Sequence, residues 1–97
     1  MEKKEYIVSY VKVVPVFSFY EMDNIVGWSR RRSTRKMTGS EVESVLDKLL
    51  ADVKKRDGED AYIVVGDVYE KGDDGKFHRV VGDVVRNWNE KVIRERG

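Results

Sequence analysis

Cysteine is absent from this chain of 97 residues. Its absence excludes disulfide staples, thiolate nucleophiles and cysteine-ligated zinc or iron–sulfur sites. The one histidine, His78, excludes paired-histidine catalysis and His-rich metal sites. No uninterrupted apolar run exceeds five residues, far short of a membrane span. Met1-Glu2-Lys3-Lys4-Glu5 is mixed in charge and lacks the plan of a signal peptide. A soluble, cytoplasmic protein is expected, with no membrane partner. No Gly-rich loop joins a strand to a helix, so the familiar nucleotide-binding motifs are missing and no cofactor is expected.

What is there is valine and charge. Val occurs 17 times against three Leu and two Ala. β-branched side chains suit pleated strands, so the chain should be β-rich. Charged residues make up 38% of the chain and Gln is absent, a bias that resembles hyperthermophile composition. A single domain spanning residues 1–97 is the expected organisation.

The net charge of +1 conceals a segregation. Residues 24–40 carry +5 with no acid, and residues 57–75 carry −6. The basic stretch holds Arg30, Arg31, Arg32, Arg35 and Lys36.

Tyr6 to Tyr20 reads as a strand that continues through Pro15. Fifteen straight residues would span roughly 50 Å, too long for so small a domain, so a bend, bulge or edge is expected there. Glu21-Met22-Asp23-Asn24 has turn chemistry, and Ile25 to Ser29 reads as a short return strand. Val42, Val45, Leu46, Leu49, Leu50 and Val53 follow the spacing of one helical face, which predicts a helix over 41–56. Ser40 and Glu43 have capping-box spacing, and Gly58 is placed to end the helix. Residues 61–69 and 76–81 read as strands around the loop Gly72-Asp73-Asp74-Gly75. Val84, Val85, Trp88, Val92 and Ile93 have helical spacing, with Asp83 as a cap. The expected fold is α+β: a mainly antiparallel sheet in the order β-β-α-β-β, a central amphipathic helix and a short C-terminal helix.

The basic segment carries the sharpest functional signal. Guanidinium groups bind phosphates bidentately, Ser33 and Thr34 offer hydroxyls, and Trp28 can stack on a base or anchor the segment. A small non-enzymatic protein is expected, binding DNA or RNA through an Arg-rich loop or arm: Trp28, Arg30, Arg31, Arg32, Arg35 and Lys36. Five neutralised phosphates would give a salt slope of roughly −4.5. The plainer reading pairs these cations with the chain's own acids, such as Asp57, Glu59 and Asp60.

Two other functions compete. A protein-interaction module, an inhibitor or adaptor of the kind compact viral or mobile-element genomes encode, would act through an acidic hairpin around Glu70, Asp73 and Asp74, or through an apolar sheet face. A metal-dependent nuclease would use acids such as Asp67, but Glu70-Lys71 lacks the spacing of a Glu-x-Lys pair. His78 lacks a linked nucleophile and reads as a surface residue. The repeated Val-Val-Gly-Asp-Val at 64–68 and 80–84 reads as strand chemistry. Finally, the strands are apolar on both sides, and one helix covers only one. The other side needs the C-terminal segment, a second subunit or a partner, and a homodimer is expected.

Overall fold

A computed structural model describes residues 3–20 and 24–96. Strand β1 spans Lys4–Phe17, β2 Ile25–Gly39, helix α1 Val42–Asp57, β3 Tyr62–Lys71, β4 Phe77–Arg79 and α2 Val84–Arg96. The strands form one sheet in the order β2-β1-β3-β4, and every neighbouring pair is antiparallel. The α+β architecture and its β-β-α-β-β order agree with the expectation. Residues 21–23 of the expected turn lie outside the described residues, while Ser18 donates its amide to the Asn24 carbonyl at 2.8 Å.

Two expectations about the hairpin need correcting. β1 is not too long for the domain: it runs unbroken from Lys4 to Phe17, with Pro15 paired to Trp28 at the edge position expected of it and an irregularity between Val16 and Phe17. Proline is tolerated there because the pairing with β3 has already ended. The last β1–β3 pair is Val13 with Tyr62, so one edge of β1 is free beyond it. The full length is accommodated because the molecule is a rod, 54 Å long and 22 Å across. The basic segment is likewise no loop. Residues 30–36 lie wholly within β2, paired one for one with Val13 back to Ile7.

One face of the sheet carries the core. Tyr6, Val8 and Tyr10 of β1, Met37 of β2 and Ile63, Val65 and Val68 of β3 point into it. Helix α1 lays Val45, Leu46, Leu49 and Val53 against them, the stripe its spacing predicted. Its C-terminus also matches: Gly58 has φ 107° and donates its amide to the Lys54 carbonyl. The N-terminus differs. Glu41, not Ser40, is the capping position, and no side chain caps the helix, so the Ser40–Glu43 box is not formed. β2 runs to Gly39 and α1 begins at Val42, which places Ser40 one residue too early. Gly39 is required at this corner, since a Cβ there would meet Val45 Cγ2 at 2.5 Å.

Helix α2 packs on the same face. Trp88 and Val92 join the core, and the Trp88 indole donates to Asp47 Oδ1 of α1 at 2.8 Å. Asp83 precedes the helix, its carbonyl accepting the Asn87 amide at 2.8 Å. β4 is shorter than expected and pairs only with Tyr69 to Lys71, so the outer edge of β3 is uncovered below it. Asn89 fills part of that gap. Its Oδ1 accepts the Val65 amide at 2.9 Å and its Nδ2 donates to the Val65 carbonyl at 2.8 Å. One side chain thus supplies both bonds a neighbouring strand would have made.

Asn89→Ala should therefore strand both backbone groups of Val65. A loss of about 1–3 kcal/mol is expected in urea unfolding, with helix content retained in the folded baseline.

Candidate nucleic-acid interface

Side chains alternate along a strand, and directly paired residues share a face. The pairing therefore sorts every residue of the basic segment. Trp28, Arg30, Arg32, Thr34 and Lys36 pair with Pro15, Val13, Val11, Ser9 and Ile7, on the face opposite the core. Arg31, Ser33 and Arg35 pair with Lys12, Tyr10 and Val8, on the helix side. The structure thus brings four of the six expected binding residues to one face and turns Arg31 and Arg35 away from them.

The ion pairs sharpen this division. Arg35 reaches Asp52 of α1 at 3.3 Å, and Lys36 lies 3.5 Å from Glu5. Asp57, one of the acids expected to neutralise the basic segment, instead takes Lys12 at 3.1 Å. Arg30, Arg31 and Arg32 are exposed, and no carboxylate among the described residues pairs with them.

Among the described residues no helix covers the face that holds Arg30 and Arg32. β1 contributes Ile7 and Val11, and β3 contributes Val64 and Tyr69, as an apolar strip beside the cations. Val13 is buried to 1% exposure yet lies outside the core cluster. Its cover is local: the Trp28 ring meets Tyr62 edge to face, 5.9 Å between centroids, from strands on either side of β1. Tyr62 also packs against the margin of the core. Trp28 therefore anchors the face while remaining 41% exposed. Between Val8 and Tyr10 the β1–β3 register shifts, and Gly66-Asp67 bulges opposite Ser9. Arg32, Ser9, Val11, Val64 and Asp67 line a shallow depression at this bulge.

At the far end of the face Glu5 sits between Lys71 at 2.8 Å and Lys36 at 3.5 Å. The hydrogen bond from Lys71, with the nearby Lys36 charge, holds its carboxyl below the usual range. Lys36 also lies over the Phe77 ring, 5.9 Å from its centre. Lys71 and Arg79 share this face through their pairing with Phe77 and Tyr69. Their participation had no signal in local charge, because it depends on strand order, which the sequence alone does not show.

The competing sites are differently placed. In the acidic hairpin, Glu70 holds Lys4 at 2.9 Å. Asp74 accepts the Lys76 amide at 2.9 Å and meets the His78 imidazole at 3.0 Å. Those two contacts, the amide first, hold the Asp74 carboxyl low. Asp73 is exposed on the same turn. Among the described residues no three acidic or histidine side chains converge on a point that could hold a metal ion. Nor is any helix there long and apolar enough to cross a membrane. No protein-family model matches the chain, and no curated protein or solved structure matches it.

Glu5 makes a pH-dependent contribution to stability. Its folded pKa lies below the ordinary value of 4.5, so the contribution is full above that value and is lost as pH falls through the lowered one. Glu5→Gln should melt slightly below the native chain at pH 7, and the gap should close in strong acid. A gap that persists at low pH would assign the effect to packing.

Proposed function

We propose that this chain binds nucleic acid, without catalysis, through the sheet face that its helices leave open. The observation that carries the reading is the pair Arg30 and Arg32. Both are exposed, neither has a carboxylate partner among the described residues, and both lie on one face beside Trp28 and Lys36. Guanidinium groups in a row, with no carboxylate partner among the described residues, fit the spaced charges of a phosphate backbone. The binding element is an edge strand of the sheet, and its alternation selects which cations take part.

A second copy of the chain is the competing occupant, since an uncovered apolar strip also suits a homodimer. Charge works against it. The face carries Arg30, Arg32, Lys36, Lys71 and Arg79 against Glu5 and Asp67. Two such faces pressed together would bring like charges close, whereas a polyanion neutralises them.

The test is a salt titration of binding by fluorescence anisotropy. Three contacts from Arg30, Arg32 and Lys36 predict a log–log slope of about −2 to −3. The double variant Arg30→Ala/Arg32→Ala should flatten that slope to about −1 and weaken binding at low salt. Arg31→Ala, one residue away on the opposite face, should have a much smaller effect. Equal losses from Arg31 and Arg30 variants would remove the face-specific reading. Retained affinity in the double variant would remove the nucleic-acid reading.

A further inference from the structure

We infer that the ligand is a single-stranded polynucleotide, with its phosphates along β2 and its bases over the apolar strip of β1 and β3. This rests on the nucleic-acid reading above and specifies its substrate.

Two features of the open face select single strands. The first is its division into stripes. Arg30, Arg32 and Lys36 occupy the outermost strand, while Ile7, Val11, Val64 and Tyr69 occupy the two strands inside it. From β2 to β3 is two strand spacings, about 10 Å, close to the reach of a nucleotide from phosphate to base edge. A single strand has the same polarity across its width, charge on one side and apolar base faces on the other. A duplex buries those base faces, and would leave Val11 and the 37% exposed Val64 against phosphate and water.

The second feature is where the cations begin. The outer part of the hairpin, residues 14–17 with 25–29, is only two strands wide because β3 begins at Tyr62, opposite Val13. A ribbon of that width fits the major groove, which is about 12 Å across. Yet this stretch contains no cation. Arg30 pairs with Val13, and Val13 pairs with Tyr62, so the cation row starts at the very row where the sheet becomes three strands wide. The charges are placed where the protein is too broad for a groove. They are absent where it is narrow enough to enter one.

Trp28 closes the row at one end with a partly exposed indole, a surface on which a base can stack. Recognition of this kind is tolerant of sequence, because every base offers a flat face.

The experiment compares oligo(dT), oligo(rU) and a DNA duplex, each about 15 nucleotides long, by fluorescence anisotropy at one salt concentration. The single strands should bind at least about tenfold tighter than the duplex. The two single-strand arms separate DNA from RNA as the source of the same chemistry. Val64→Asp places a charge on the base-facing strip and should erase most of the single-strand preference. Circular dichroism checks that the variant is folded. Should it fail to fold, tryptophan quenching reads the same contact: the single strand should quench the native protein and not Trp28→Phe. Duplex binding equal to or tighter than single-strand binding would overturn the inference and leave the nucleic-acid reading intact. So would quenching that is absent or survives in Trp28→Phe. Binding of none of the three probes would overturn both.

Discussion

The docking of α2 beside α1 leaves the other side of the sheet open. Two contacts fix it. The Trp88 indole ties α2 to Asp47 of α1, and Asn89 replaces a missing strand along Val65. Each satisfies polar groups that would otherwise be stranded at the margin of the core, where an unmade hydrogen bond is expensive. Because both helices are held on one face, no element among the described residues covers the opposite one. The apolar strip, the cation row and the bulge at Gly66-Asp67 all owe their accessibility to that asymmetry.

The helices were largely legible in the sequence. In α1 the apolar stripe placed both ends within one residue, since a 3.6-residue period over sixteen positions has few competing explanations. The capping box failed for a local reason. The Ser40–Glu43 spacing is present, but β2 persists to Gly39 and shifts the helix start by a residue.

The basic segment was harder to read. Three consecutive arginines look like a solvated loop, and nothing nearby supplies the apolar alternation of a strand. The missing half comes from β1, whose Ile7 to Val13 pairs with it along its length. Pairing with a strong neighbour overrides weak local preference. Strand assignment then altered the chemistry, because a loop would present five cations together and a strand divides them. Which residues faced each other across strands, such as Lys36, Glu5 and Lys71, required the order β2-β1-β3-β4, and no short-range pattern encodes that order.

β2 is also a fifteen-residue strand at the end of the sheet, its outer backbone groups without a neighbouring strand. An edge of that length is a template on which other chains can aggregate. Most antiparallel registers of two such edges through the segment 30–36 would set arginine against arginine or lysine, at a cost for each facing pair. The cations therefore disfavour edge-to-edge pairing of two copies. Removing them would leave a long edge strand without that electrostatic guard.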